Sequence, residues 1–275
     1  VDENSARQKK QNLLSNLHSL ESLLVAFSGG VDSTFLLAVS RQALGDKVLA
    51  GTADSVLHPS REREEAARFL KLSGIGHILI PTEEISLPQF VENNPDRCYH
   101  CKKLLSQKLL EIAKQRALRH VAHGANLDDL GDYRPGFKAA QEAGILAPLI
   151  DAGLTKEEIR FLSREMGLPT WNKPAMACLA SRIPYGHPIT IQKLQMIREG
   201  EDFLYRFGFR QFRLRHHGDT ARIEVESAEI EKIIEPSLRK EIVEKFREMG
   251  FLHIALDLEG YVTGSLNRAL GKQGG

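Results

Sequence analysis

Residues 23–33 read Leu23-Leu24-Val25-Ala26-Phe27-Ser28-Gly29-Gly30-Val31-Asp32-Ser33, and the fold turns on how they are understood. Leu23 to Phe27 is a short apolar run of the kind that forms a buried parallel strand. Ser28-Gly29-Gly30 interrupts it just before an apolar helical pattern begins at Thr34. Strand, glycine turn and helix in that order make an anion site. The two glycines let the chain turn without a Cβ in the way, so successive N–H groups and the Ser28 and Ser33 hydroxyls converge at the positive end of a helix. Phosphate is the implied ligand. The loop lacks the lysine that neutralises β and γ phosphates in Gly-x-x-x-x-Gly-Lys-Ser/Thr loops. Asp32 stands there instead, and a carboxylate among phosphates suits Mg²⁺, which prefers oxygen ligands.

Around this stretch the chain alternates strands and helices. Leu13, Leu14, Leu17 and Leu20 give a leading amphipathic helix, Phe35 to Leu44 continues the helix after the loop, and Lys47 to Thr52 reads as a second strand. Ala53-Asp54-Ser55 then lies at a carboxyl end, where open α/β sheets bind ligands, so adenine and ribose are expected near Ser55. A charged helix over 60–73, whose run Arg61 to Glu65 reads as a solvated face, leads to a strand at His77 to Ile80. A short helical pattern covers Ile85 to Val91, and a helix opens at Arg97-Cys98 and runs to about Ala117. Val121 to His123 is a fourth strand, followed by the polar turn Gly124 to Asp129. Pro148-Leu149-Ile150 reads as a short strand or extended stretch, and Thr155 and Glu158 cap a further helix. The alternation predicts a doubly wound parallel α/β sheet with right-handed crossovers.

The expected domains are 1–167 for nucleotide binding, a flexible cysteine-bearing linker over 168–189, and a small α+β domain over 190–275 for substrate binding or oligomerisation. The last contains a hairpin whose turn holds His216 and His217. Among 275 residues, 42% hydrophobic and 27% charged content describe a globular chain. A net charge of +1 provides no global basic field for nucleic acid. No stretch has the apolar length of a membrane span and residues 1–22 are too polar for a signal peptide, so a cytoplasmic protein is expected.

The three cysteines are Cys98, Cys101 and Cys178. Cys98-x-x-Cys101 at a helix start places two thiols on one turn, and Cys178 in a loop can supply a third. Three thiolates leave one position open on a four-iron cluster or on zinc; the alternatives are a redox pair or small buried hydrophobes. Arg213 and Arg215 alternate on one strand face and either clamp a substrate phosphate or face solvent.

The segment Ser28 to Ser33 resembles the pyrophosphatase (PP) loop of the adenine-nucleotide α-hydrolase superfamily. Its members attack the α-phosphate of ATP and release pyrophosphate. With Asn93-Asn94-Pro95-Asp96, Lys102-Lys103, Asp132-Tyr133-Arg134-Pro135-Gly136, Trp171-Asn172-Lys173, Ser181-Arg182-x-Pro184-Tyr185-Gly186 and Ala221-Arg222-Ile223-Glu224, the chain resembles the LarE family from about Leu20 to Gly264. That family is an ATP-dependent sulfur transferase which builds the nickel-pincer nucleotide of lactate racemase. It adenylates a carboxylate of pyridinium-3,5-biscarboxylic acid mononucleotide and converts it to a thiocarboxylate.

The resemblance implies ATP and pyrophosphate at Ser28, Gly29, Gly30, Asp32, Ser33, Ser55, Gly124 and Asp129, with Mg²⁺ at Asp32. It implies substrate at Arg182, Arg213 and Arg215, with Asp32, Cys178, Arg213 and Arg215 in catalysis, and a homo-oligomer as the assembly. In the sacrificial branch the sulfur-donating cysteine aligns with Ala177, and positions 98 and 101 are not cysteines. This chain therefore resembles the branch in which Cys98, Cys101 and Cys178 hold a [4Fe–4S] cluster and sulfide, or a sulfide donor, is a partner. The rival readings are sacrificial use of Cys178, tRNA thiolation, a glutamine- or ammonia-dependent synthetase, and a non-catalytic ATP or iron–sulfur sensor.

Overall fold

The computed structural model describes residues 1–131, 134–174, 177–269 and 271; Asp132 and Tyr133 of the loop singled out above lie outside them. In chain order the elements are α1 (Glu3–His18), β1 (Leu23–Ala26), α2 (Val31–Leu44), β2 (Val48–Asp54), α3 (Ser60–Ser73), β3 (Gly76–Pro81), α4 (Pro88–Val91) and α5 (Arg97–Gln115). They continue with β4 (His120–His123), α6 (Pro135–Glu142), α7 (Pro148–Asp151), α8 (Lys156–Glu165), α9 (Ile191–Arg206), β5 (Phe212–His217), β6 (Thr220–Val225), α10 (Ile230–Ile234), α11 (Pro236–Glu248) and β7 (His253–Leu256). Two compact units result: Val1–Glu84 with Asp96–Met176, and Ile85–Pro95 with Ala177–Gly275.

The first unit is built on a parallel sheet in the order β3-β2-β1-β4. Both faces of β1 are buried, which is why its sequence is an unbroken apolar run. Leu23 and Val25 pack with Leu13 and Leu17 of α1, Phe35 and Leu36 of α2, and Ile159 and Leu162 of α8. Leu24 points the other way, into a cluster with Leu109 and Ala113 of α5, Val121 of β4 and Ala140 of α6. Helices on both faces make the doubly wound α/β fold that the alternation predicts. The strand order reverses beside β1, so the crevice at the carboxyl ends of β1 and β4 is the topological switch point where such sheets bind ligands.

The second unit holds the hairpin of β5 and β6, antiparallel from Phe212↔Val225 to His217↔Thr220, with β7 parallel to β6. Phe209, Leu214, Ile223, Ile242, Phe246 and Phe251 form its core. Residues 85–95 belong to this unit because Asn93 staples them there. Its Nδ2 donates to Pro184 O (2.7 Å) and His187 O (2.9 Å), while Gly186 N donates to Asn93 O (3.1 Å) and Ile189 N to Val91 O (2.8 Å).

Three local expectations are corrected. Pro148-Leu149-Ile150 is a single helical turn rather than a strand. Proline at the first position presets a helical φ, and Ile150 N and Asp151 N both return to Ala147 O (2.9 and 3.2 Å). The pattern over Ile85 to Val91 is split by Pro88 into a 3-10 turn at Glu84–Ser86 and the short α4. His216 and His217 end β5 rather than form the turn, and His216 is buried with its ring 5.2 Å from Phe251.

The switch point carries a tight backbone contact. A Cβ at Gly124, just past β4, would lie 2.9 Å from Ser33 N and 3.0 Å from Ser33 Cα. Neither atom is a flexible side-chain end, so the phosphate loop itself must shift to admit one. Gly124→Ala is expected to lower unfolding free energy by roughly 1–3 kcal/mol and to weaken ATP binding. Urea unfolding with nucleotide titration checks this, and wild-type values in both would show that the contact carries no constraint.

Candidate active site

The loop after β1 has the geometry of an anion cradle. Gly29 takes φ +71°, and a Cβ there would come within 3.0 Å of Ala66 Cβ on α3, so neither the turn nor the packing admits a side chain. Gly30 is the residue before α2. The Ser28 and Ser33 hydroxyls lie 3.0 Å apart and Ser28 N donates to Ser33 Oγ (3.3 Å), which places both side chains at the mouth of the helix. Asp32 sits in the first turn of α2. Its Oδ2 is paired with Lys156, and its Oδ1 is buried with no hydrogen-bond partner. A bare carboxylate oxygen beside an anion cradle fits an oxygen-seeking cation such as Mg²⁺.

Two lysines from distant sequence stand at a loop whose motif has none. Lys156, the first residue of α8, pairs with Asp32 through its side chain, while its backbone N–H donates to Asp128 Oδ2 (2.7 Å). Lys173 Nζ reaches Gly29 O (3.2 Å) and Glu65 (2.8 Å). The Trp171-Asn172-Lys173 stretch is held in place by Arg160, which donates to Trp171 O (2.8 Å) and Lys173 O (2.7 Å), and the Trp171 ring lies under Arg164. The α3 charge run is thus not wholly a solvated face, since Glu65 serves Lys173 and Arg63 pairs with Asp54.

The other expected residues of this unit lie at strand ends or on the first turns of α5. Ser55, buried after β2, donates to Glu84 Oε2 (2.9 Å), and Glu84 Oε1 lies 3.9 Å from Cys101 Sγ. Asp129 accepts from Asn126 N (3.0 Å) and pairs with Arg134 (2.9 Å). Cys98 is exposed, Cys101 half-buried, and neither is in a disulfide. Burial lowers the pKa of the Lys102 ammonium, with charge at Cys101 and Cys98 opposing. Burial, followed by the charge of Lys102, pushes the His123 imidazole down to about 4, so it is neutral at physiological pH.

In the second unit Cys178 is half-buried and not in a disulfide, at the start of a 3-10 turn, Leu179–Arg182. Arg182 is wholly buried. Its guanidinium grips Glu201 with two bonds (2.8 and 3.0 Å) and donates through Nη1 to the carbonyls of Ala177 and Cys178. Arg213 and Arg215 are 4% and 6% exposed, so the solvent-face alternative does not describe them. The 3-10 turn lies over their face: Arg215 donates to Ser181 O (2.9 Å) and pairs bidentately with Glu224 (2.9 and 2.7 Å). Arg213 lies 4.8 Å from the Tyr261 ring centre. Burial and then the charge of Arg182 lower its pKa to about 10, against the pull of Glu201 and Tyr261. The guanidiniums of Arg182, Arg213 and Arg215 are gathered around the carboxylates of Glu201 and Glu224. Among the described residues, no group of three or more His, Cys, Asp or Glu side chains is placed to hold a metal ion.

No family model matches the sequence. An uncharacterized protein of Synechocystis sp. is 41% identical over 264 residues, 96% of this chain and 98% of its own length. The pyridinium-3,5-bisthiocarboxylic acid mononucleotide synthase of Lactiplantibacillus plantarum is 34% identical over 265 residues, 96% of this chain and 95% of that enzyme. The chain belongs to the LarE family. A more distant relative is the tRNA-specific 2-thiouridylase of Desulforamulus reducens, 26% identical over 196 residues and 55% of this chain. This LarE-family chain is accordingly an enzyme of the ATP-using PP-loop class, a sulfur transferase. Among its described residues no helix is long and apolar enough to cross a membrane.

Sequence reading passed over Lys156, Lys173, Glu201 and His123. The Lys156 and Lys173 side chains reach the loop across 124 and 144 residues. The run of capping residues at 155–158 hid Lys156, and a lone histidine at a strand end carried no signal until its burial was visible.

Two outcomes follow for this LarE-family enzyme. Removing the carboxylate of a buried ion pair strands its partner's charge, so Glu201→Ala is expected to destabilise the second unit by about 3–5 kcal/mol and to loosen the Cys178 turn. Denaturant unfolding and proteolysis at that turn read this, and wild-type behaviour in both would contradict it. The second concerns His123. The unfolded imidazole protonates near 6.5 and the folded one near 4, so the unfolded chain binds the extra proton between these values and stability falls as pH drops through the window. The full loss is about 3 kcal/mol, and His123→Phe is expected to lose less stability than wild type between pH 7 and about pH 4.5. Equal losses would contradict the assignment.

Proposed function

We propose that this enzyme adenylates a carboxylate of pyridinium-3,5-biscarboxylic acid mononucleotide and converts it to a thiocarboxylate, in service of the nickel-pincer nucleotide of lactate racemase. The observation that carries the reading is Asp32, whose buried Oδ1 lacks a partner beside the Ser28–Ser33 cradle. The relative from Lactiplantibacillus plantarum, named for the bisthiocarboxylic product, supplies the substrate class.

In the first step a carboxylate oxygen attacks the α-phosphorus of ATP, the bond to the bridging oxygen breaks, and pyrophosphate leaves with the electron pair. The loop amides and the hydroxyls of Ser28 and Ser33 hold the leaving pyrophosphate, and Asp32 holds Mg²⁺. Lys156 and Lys173 bring the positive charge that the loop motif lacks. Ser55, Gly124 and Asp129 line the nucleotide side. In the second step hydrosulfide sulfur attacks the acyl carbon, the C–S bond forms, the C–O bond to AMP breaks, and the hydrosulfide proton passes to solvent. Adenylation is needed because a carboxylate oxygen leaves poorly and AMP leaves readily.

A [4Fe–4S] cluster on Cys98, Cys101 and Cys178 would supply a soft site that carries sulfide between turnovers. The donor set supports it in kind: three thiols, none in a disulfide, two of them on one helical turn. Arg182 fixes the Cys178 backbone, and the gathered guanidiniums of Arg182, Arg213 and Arg215 suit the phosphate of the mononucleotide. Thiols outside disulfides also suit a cytoplasmic, reducing location, and the homo-oligomer is part of the same family reading.

Asp32→Ala should remove substrate-dependent pyrophosphate release from a folded protein, and Lys156→Ala should lower it. Single alanine changes at Cys98, Cys101 or Cys178 should abolish iron binding and sulfur transfer while pyrophosphate release continues. Pyrophosphate release at the wild-type rate by Asp32→Ala would refute the assignment.

A further inference from the structure

In the second unit, the two arginines assigned to the substrate's phosphate are covered by a later segment of the same chain. The last main-chain tie of that segment to the sheet is Tyr261 N, which donates to Val225 O (2.7 Å), and the Tyr261 ring lies over the Arg213 guanidinium. Beyond it, residues 262–268 bring Ser265 to Arg215. None of residues 261–268 is buried, and the backbone hydrogen bonds of 262–268 stay within the segment, as in Ser265 N to Val262 O (3.3 Å) and Asn267 N to Gly264 O (2.9 Å). Among the described residues, side chains make the bonds that hold it down. Arg215 Nη2 donates to Ser265 Oγ (3.1 Å), Tyr185 Oη to Asn267 Oδ1 (3.2 Å), and the exposed Arg268 to the exposed Glu259 (2.5 and 2.8 Å). Gly264, at φ +76° with open space where a Cβ would stand, gives the segment a pivot.

A guanidinium has five N–H donors, and those of Arg215 are nearly all in use. Nε and Nη2 each give one to Glu224 (2.9 and 2.7 Å), Nη1 gives one to Ser181 O (2.9 Å), and the second on Nη2 goes to Ser265 Oγ (3.1 Å). Only one, on Nη1, is left over. A two-pronged grip on phosphate from Nη1 and Nη2 needs the donor that Ser265 now holds. Ser265 is also the partner that can yield. Glu224 is a carboxylate 1% exposed and Ser181 offers a main-chain carbonyl, whereas Ser265 offers a neutral hydroxyl at the longest of these distances. A phosphate monoester makes shorter, charge-assisted bonds to a guanidinium than a hydroxyl does. We propose that residues 262–268 are a latch over the Arg213–Arg215 face, held shut by Ser265 on Arg215, and that the mononucleotide's phosphate opens it by taking the place of the Ser265 hydroxyl. This rests on the mononucleotide reading above and deepens it. A segment with no buried residue opens at low cost, and one shut about nine-tenths of the time raises the apparent dissociation constant about tenfold.

A latch has an unusual consequence: removing a polar group from the site strengthens binding. Calorimetric titration of wild type, Ser265→Ala and Ser265→Thr with the pyridinium biscarboxylate mononucleotide, and separately with ribose 5-phosphate, measures this. Ser265→Ala is expected to bind both about three- to tenfold more tightly than wild type, and Ser265→Thr, which keeps the hydroxyl, to match wild type. Hydrogen exchange read by mass spectrometry supplies the second measurement. The peptide spanning 262–268 is expected to exchange faster in wild type saturated with either ligand than in the free protein, and to exchange fast in Ser265→Ala without ligand. The two ligands separate the latch from the reading it rests on. Tighter binding of ribose 5-phosphate by Ser265→Ala, with the pyridinium compound binding no better than ribose 5-phosphate, would support the latch and remove the pyridinium substrate. Weaker or unchanged binding by Ser265→Ala, slower exchange of 262–268 when ligand binds, or no binding of either phosphate ester into the millimolar range would overturn the latch.

Discussion

The backbone contact between Gly124 and Ser33 sets the position of everything in the first unit that handles phosphate. Two parallel strands, β1 and β4, end side by side where the sheet order reverses. The loops leaving them pass so closely that Gly124 has no room for a Cβ, and Gly29 has none because Ala66 of α3 abuts it. That approach holds the first turn of α2 in a fixed place, with its N–H groups, Ser33 and Asp32 turned towards the crevice. It also fixes His123, one residue earlier, relative to the loop. The geometry of the anion cradle thus follows from strand order and from two glycines.

Charge is then placed on this frame from elsewhere in the chain. Lys156 arrives on α8, whose start is fixed by the reciprocal Thr155–Glu158 cap and by Asp128. Lys173 arrives on a segment held by Arg160. In the second unit Arg182 and Arg215 are buried together with the two glutamates, Glu201 and Glu224, that pair with them. Buried ion pairs are poor stabilisers compared with apolar packing, so their presence at the Cys178 turn points to positioning. Arg182 ties the backbone of that turn to Glu201, which also accepts Leu214 N (3.1 Å), so the cysteine loop is anchored to α9 and β5 together.

Much of the fold was legible because its signals are local. The apolar run before Ser28, the glycine pair, the capping box at Thr155 and the alternation around Arg213 each depend on neighbours within a few residues. The cysteine spacing was legible in the same way. What escaped was decided by contacts across the chain. Lys156 looks like any charged residue in a first helical turn until its side chain is seen against Asp32. Arg213 and Arg215 alternate as a solvent face would, and the 3-10 turn that covers them comes from 30 residues earlier, beyond any periodicity (Arg215 reaches Ser181 across 34 positions). His123 was silent because its meaning lies in burial and in an unused nitrogen. The Pro148 turn was misread because a three-residue apolar run fits strand and helix equally.

Whether Cys178 is a ligand or a consumed reagent separates the two chemistries open to this family, and intact-mass analysis of the enzyme after turnover with supplied sulfide addresses it most directly. A catalytic role for the three thiols requires several thiocarboxylate products per chain and an unchanged mass for the Cys178 peptide. One product per chain, with dehydroalanine at position 178, would contradict it.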